Sequence, residues 1–490
     1  MAVNVLFTLA SIPLALHYLS KEQFGLWALV TQIGSYLLLI DAGVSSSVAR
    51  HLIERKDTKA DGQYGSVVKT GSLVFVAQGF GIAVFGGVLS LVLPLVLNVP
   101  GQFASPFRVL LVGQCVFLGI SFTARIGSAI LQAHQRFDVI NYSQIAQLIL
   151  SFATQWIAFH WGWGLYSLLV ASAGAALCGL AVNLLSVVYL SLLPAGNHWG
   201  KASWDMFKEV FAFANDLFLL FLGMQLVNAS QILIVSSTLG LTPVTVWIVA
   251  TRTFQLAFQF VQRIFEFSGS ALGEMIVRNE RPLLRLRFRH VLLLTASVAV
   301  FANSSLAICN GSFVSLWTKK VVSWPWRNDM LMAVLVVLNC VSRCYIGLSG
   351  YAKEVRTMRW IYFLEGLTFV VVAFVVSPVF GLTGIIVTAI AANLVWSGAY
   401  GTRWAARYLQ VGPREVLVAW LLPAAKYLCV IAPLAVLIAT GTRGLQPIVR
   451  LPLNTAAMLA IGLPLLWRVG LSQDLRDELR EKVKSFFRSR

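Results

Sequence analysis

Three arginines and three carboxylates stand inside stretches that are otherwise apolar: Arg125, Arg252 and Arg343, and Asp41, Glu266 and Glu365. A guanidinium in such a place offers paired, charge-assisted hydrogen bonds to phosphate oxygens. A carboxylate there offers a seat for a proton or a sodium ion. A charge near a bilayer centre costs roughly 2.5–3.5 kcal/mol on insertion scales, so each marks a site unless it pairs with a neighbour to hold helices together. For the three arginines both readings are open. Arg263 precedes Glu266 by three residues, a spacing that lets the two pair along one helix face.

At about 1.5 Å per helical residue, Arg252 lies about 12 Å from the outer end of its segment, near the midplane. Arg125 and Arg343 lie about 20–25 Å from theirs, in the inner half. Asp41 stands 17 residues past Phe24, about 26 Å down. It either accepts hydrogen bonds where "DAGVSSS" loosens the helix or pairs with an arginine at a cytoplasmic gate. Glu365 and Lys426 lie about a third of the way in from the cytoplasm, and Asp216 at the inner interface. Ion coupling needs an acid that opens to both sides, and Asp41, Glu266 and Glu365 are its candidates.

These residues need a membrane scaffold. Of 490 residues, 58% are hydrophobic and 12% charged, with mean hydropathy +0.77; a soluble domain is about a quarter charged. Apolar stretches of about 20 residues, enough to cross a core of about 30 Å, recur from end to end. The chain reads as an all-α polytopic membrane protein with about fourteen spans near 2–19, 24–49, 68–98, 108–131, 141–160, 165–192, 211–238, 244–270, 290–317, 329–351, 360–380, 382–403, 417–440 and 451–469. The alternating segments of a β-barrel are absent. No cleavable signal is evident, and Ala2–Leu19 reads as the first span.

Loops after even-numbered spans, with the C-terminal tail, hold about 26 Lys and Arg; loops after odd-numbered spans hold about six. That excess puts the even loops and both termini in the cytoplasm. The net charge of +18 is then topology signal and attraction to anionic lipid rather than a nucleic-acid footprint. The segment "RNERPLLRLRFRH", 278–290, reads as basic charge lying on lipid, or as a first contact for a phosphorylated substrate. Leu471, Leu475, Leu479, Val483 and Phe487 share one face of the tail, which should lie along the inner leaflet. "GFGIAVFG", 79–86, lacks the phosphate-loop pattern and fits close helix packing, as do Ala171, Ala175 and Gly179. The six cysteines and six histidines form no metal spacing, and no cofactor is implied.

Shifted by 220 residues, "LSKEQFGLWALVT" (19–31) falls on "LGLTPVTVWIVAT" (239–251), aligning Trp27 with Trp247, Gln32 with Arg252 and Glu54 with Glu274. A shift of six spans preserves orientation, so the repeat is parallel. It implies two six-helix bundles around a cavity, 1–200 and 201–410, with extra helices in 411–470 and an amphipathic tail in 471–490. The seventh span has a lead-in, "KEVFAFANDLFL", that the first lacks; the start codon is expected upstream, or the entry helix lost.

"YLSKEQFGLWALV" followed by "LLLIDAGVSSSVAR" resembles the N-terminal signature of Wzx-type polysaccharide flippases in the MOP superfamily, which also holds MurJ and the MATE exporters. "VATRTFQLAF", 249–258, is similar to an eighth-span stretch of MurJ-like flippases, with Arg252 at the arginine position and Thr251 where those have Asp. The resemblance implies transfer of a polyprenyl-diphosphate-linked oligosaccharide by alternating access across a bacterial inner membrane. It names membrane lipids, a polysaccharide polymerase and chain-length machinery as partners, and no nucleic acid. Arg252, Arg125, Arg343 and Gln32 are the expected cavity residues; Asp41, Arg263, Glu266 and Glu365 are the expected gate or coupling residues. The alternatives are a MATE-like cation exporter, which favours an acidic cavity, and a membrane glycan polymerase, which needs a large outer loop.

Overall fold

The computed structural model describes residues 2–488 except Ala42, 57–60, Asn98, Ala195, Asn197 and Val355; the side chains of Ala2, Ser46, 210–217 and 482–488 are also outside the description. Asp216, Val483 and Phe487 fall among those side chains. Among the described residues all regular structure is helical: α1 (Ala2–Tyr18), α2 (Lys21–Leu37), α3 (Val44–Arg55), α4 (Gln63–Val96), α5 (Gly101–Thr123), α6 (Arg125–Ala133), α7 (Phe137–His160), α8 (Tyr166–Tyr189), α9 (Trp204–Leu239), α10 (Leu241–Val277), α11 (Arg281–Trp317), α12 (Trp326–Tyr351), α13 (Arg356–Asn393), α14 (Ala399–Tyr408), α15 (Leu422–Gly441), α16 (Pro447–Ala457), α17 (Leu463–Leu465) and α18 (Gln473–Arg488).

Eleven helical stretches among the described residues are long and apolar enough to cross a membrane. One of them, Arg356–Tyr408, has 53 residues and turns at Gly381, whose φ of 60° and ψ of −147° are non-helical. It therefore supplies two crossings. Adding α1 and α7 recovers the fourteen segments read from the sequence. The hydropathy of α7 is diluted by Asn141, Gln144, Gln147, Thr154 and Gln155.

Contacts divide the chain into two units, Met1–Thr245 and Val246–Arg490. In the first, Val44, Val48 and Leu52 of α3 pack with Tyr64 and Phe75 of α4 and Ile130 of α6. A glycine stripe brings α4 against α5: a Cβ on Gly79 would stand 2.5 Å from the Gly119 carbonyl oxygen, and one on Gly86 would collide with the Cys115 thiol. Small residues are what lets helices approach closely where lipid removes the hydrophobic drive between them. At the start of α2, Ser20 and Gln23 form a reciprocal cap: the Gln23 N–H donates to Ser20 Oγ at 3.2 Å, and the Ser20 N–H to Gln23 Oε1 at 3.0 Å. The same turn meets the start of α10, where Thr245 Oγ1 donates to the Lys21 carbonyl at 2.5 Å and Gly25 lies against the Leu241 carbonyl.

In the second unit Phe265, Phe288, Tyr345, Trp404 and Trp420 build the main core. Here most of 278–290 is helix rather than loop. Helix α11 begins at Arg281, with Pro282 in its first turn. Leu284 and Phe288, one turn apart, are buried, while Arg285 donates to the Leu409 carbonyl at 2.8 Å. A hydropathy reading ends a span at a charge cluster, but helical geometry only needs the charges on a different face. Helices α9, α10 and α11 thus run 36, 37 and 37 residues, about 55 Å, and must tilt or project beyond the bilayer.

The tail also differs from expectation. Leu471 and Leu475 are buried against Leu293, Ala296 and Ala424, with Leu479 alongside. Glu478 pairs with Arg287 and, at 3.0 Å, with His290. The described part of the apolar face is covered by protein, because α11 and α15 supply the apolar patch and α11 supplies the Arg287 and His290 partners of Glu478.

Candidate functional site: the intramembrane charges

Asp41 and Arg125 meet. Helix α2 ends at Leu37, a tight turn covers Leu38–Ile40, and α3 restarts after Gly43 at φ 93°. A break strands backbone carbonyls, and Gln78 of α4 takes up that of Ile40 at 2.7 Å. Asp41 Oδ1 accepts from the Ser45 N–H at 3.0 Å and from Ser45 Oγ at 2.8 Å, so it caps α3. Its Oδ2 lies 2.7 Å from Arg125 Nη1. Arg125 follows Ala124, where α5 runs on into α6 with helical backbone angles (φ −70°, ψ −16°). The guanidinium also covers the Phe122 ring, 3.8 Å from its centroid. The other side of Arg125 borders a cavity of about 350 Å³ lined by Ser128, Ser143, Gln144, Gln147 and Asn183.

Glu365 centres a second cluster in the second unit. It is 2% exposed and hydrogen-bonds Ser397, leaving Oε2 buried without a partner among the described residues. Tyr362, also bonded to Ser397, lies within electrostatic reach of both Glu365 and Arg343. Asn393 Nδ2 donates to Ser397 Oγ at 3.2 Å and to Asn339 Oδ1 at 3.1 Å, while Ser342 donates to Asn393 Oδ1 at 3.1 Å. The backbone widens into a π-helical turn at Leu394–Gly398 in this cluster, a distortion that concentrates at functional sites.

Arg252 stands eleven residues into α10 and bonds Gln255 on its own helix, Nη1 to Oε1 at 3.3 Å. The next residue, Thr253, donates to Asn310 at 2.6 Å, and Asn310 donates to Asp329 at 2.6 Å. That face of α10 is tied down, and Arg252 projects from another. Gln32, in the first unit, belongs to a polar ladder: Gln32 and Gln225 both donate to Ser35 Oγ, at 2.6 and 2.9 Å, and Tyr36 meets Ser230 at 2.5 Å. Arg263 and Glu266 pair at 2.6 Å with side chains 52% and 53% exposed; such a pair is worth about 0–1 kcal/mol.

The sequence model of the family described as "Polysaccharide biosynthesis protein" matches residues 17–317, more than half of the chain. The chain belongs to that family. No curated protein matches it in sequence. Its fold resembles those of solved MOP superfamily transporters. It is similar to a multidrug resistance MATE family transporter in an inward-facing conformation (TM-score 0.69, 14% identity, 83% of this chain and 95% of that one). It is also similar to the lipid II flippase MurJ in an inward closed conformation (TM-score 0.64, 12% identity, 94% and 99%). A third likeness is a MOP superfamily transporter from Pyrococcus furiosus described as having a binding pocket of reverse polarity (TM-score 0.57, 14% identity, 84% and 94%).

In this member of the polysaccharide biosynthesis family, Tyr362, Asn339, Asn393 and Ser397 escape a reading that looks for charge. Their sequence signal is polarity inside apolar spans, which a search limited to ionisable residues discards. The buried Asp329 escapes for another reason: it lies in the first turn of α12, where an acid is ordinary.

Proposed function

We propose that the chain moves a polyprenyl-diphosphate-linked oligosaccharide from the cytoplasmic to the outer leaflet of the bacterial inner membrane by alternating access. The observation that carries this reading is Arg252: a guanidinium held well inside an apolar helix of a chain whose family makes polysaccharide. A diphosphate is the ligand that suits it. The fold supports a transporter rather than an enzyme, since MATE and MurJ structures share it. The excess of basic residues in even loops supports both termini in the cytoplasm. Glu365, buried with one free oxygen beside a π-helical turn, is the residue we assign to ion coupling. Arg125 and Asp41 form the gate-side pair, and a polymerase with its chain-length machinery would take the delivered product.

Deletion of the gene tests the class. Lipid-linked repeat units should accumulate on the inner leaflet, and surface glycan should fall. Unchanged glycan with raised sensitivity to cationic drugs would replace this reading by the exporter one.

A further inference from the structure

Where α11 ends, α12 begins and α15 turns into α16, a cavity of about 330 Å³ is lined by Trp324, Trp326, Asp329, Arg443 and Arg450. It shares Ala307, Met330 and Val436 with an apolar groove of about 730 Å³ that runs between α11, α12 and α15 along Val334, Val337 and Leu437. Both volumes fall within the roughly 300–1,000 Å³ of ordinary ligand sites. The joined shape is that of an amphiphile: a charged mouth on a greasy slot.

The mouth carries two cations and one buried acid. Asp329 is 2% exposed. Its Oδ1 accepts from Asn310 Nδ2 at 2.6 Å and Trp324 Nε1 at 2.9 Å, while Oδ2 accepts no hydrogen bond from any described residue. Gly311 keeps the space over that oxygen open: a Cβ there would stand 3.9 Å from it. A carboxylate oxygen in the wall of a cavity can accept an N–H or O–H donor from what binds there. Arg450 is anchored by donation to the Ala439 carbonyl at 3.4 Å, and its Nε is buried with no partner among the described residues. Exposed Arg443 lines the same cavity, and guanidinium groups suit phosphate.

We infer that this groove is a binding site for an aminophospholipid of the phosphatidylethanolamine type, its phosphate on Arg443 and Arg450, its ammonium on Asp329 and an acyl chain in the apolar slot. In the orientation proposed above, the lipid sits in the non-cytoplasmic leaflet and wedges the appended helices α15 and α16 against the bundle. The inference rests on that orientation but not on the cargo.

The test is native mass spectrometry of the delipidated full chain, titrated with phosphatidylethanolamine, phosphatidylcholine and phosphatidylglycerol of identical acyl chains, free phosphoethanolamine and a polyprenyl phosphate. Phosphatidylethanolamine should bind at least fivefold tighter than the other two phospholipids, and the free headgroup should not be retained. Replacing both arginines by alanine should weaken it at least tenfold. Asp329→Asn should remove the preference over phosphatidylcholine while keeping binding. If that variant does not fold, Val436→Trp, which fills the slot from its lipid-facing rim, should weaken all three phospholipids. Equal affinity for the ethanolamine and choline lipids, unaltered binding by the double-arginine or tryptophan variant, or displacement by equimolar polyprenyl phosphate would each overturn the assignment. Because binding is read without transport, such a failure leaves the flippase reading standing, and failure of the deletion test leaves the lipid site standing.

Discussion

Arg125 Nη1 lies 2.7 Å from Asp41 Oδ2, tying the break between α2 and α3 to the junction of α5 and α6. Each charge answers the other, so the pair should behave as a unit. Because the side chains keep 28% and 23% of their exposure, we discount the cost of breaking a buried pair to about 1–2 kcal/mol. Arg125→Ala and Asp41→Ala should each lower thermal stability in detergent, and the double variant should fall by less than the sum. Strict additivity would show that the pair is not coupled.

Arg252 is assigned to the diphosphate. Arg252→Ala should abolish surface glycan at normal protein level, whereas Arg252→Lys, keeping the charge but losing the paired geometry, should retain part. Complementation of a deletion strain with glycan immunoblotting reads both. Full export by the alanine variant would remove Arg252 from the site.

Glu365→Gln keeps the shape of the side chain and its bond to Ser397 but cannot carry a proton or neutralise a sodium ion. In proteoliposomes its transport should no longer respond to an imposed proton or sodium gradient, while folding by size-exclusion chromatography stays normal. A gradient response equal to that of the parent protein would rule out the coupling role.

Gly79 and Gly87 lie on the same helix and make a matched pair. A Cβ at Gly79 meets the Gly119 carbonyl oxygen at 2.5 Å; one at Gly87 meets nothing within 4 Å. Gly79→Ala should destabilise by about 1–3 kcal/mol through overpacking. Gly87→Ala should be neutral or stabilising by about 0.5–1 kcal/mol through reduced backbone entropy. Melting curves of the two variants side by side check the packing of α4 on α5.

Crossing number and helical class were legible because apolar length is a one-dimensional property: each span announces itself locally. Pairing is not one-dimensional. Asp41 and Arg125 are 84 positions apart, and depth counting puts both in the inner half, but only the packing of α3 against α6 makes them partners. The helix start at 281–289 is hidden for a related reason. The charge of its arginines reads as interface, while the helix register that buries Leu284 and Phe288 between them keeps them on α11. The π-helical turn at Leu394–Gly398 has no signature in hydropathy at all, and its polar company of Asn393 and Ser397 comes into view only when α12 and α13 are placed side by side.

The docking of α18 bears on how the topology of this protein can be measured at the bench. Fusing a reporter after successive truncation points assumes that what is cut away was not holding up what remains. Here any fusion joined before Glu478 strips Arg287 of its counter-charge and His290 of its Glu478 partner, and uncovers Leu293 and Ala296. Such reporters would describe a molecule with its ninth span unbraced. Cysteine labelling or short epitopes inserted into the intact chain avoid that artefact, and a disagreement between the two approaches would itself reveal how much of the bundle α18 supports.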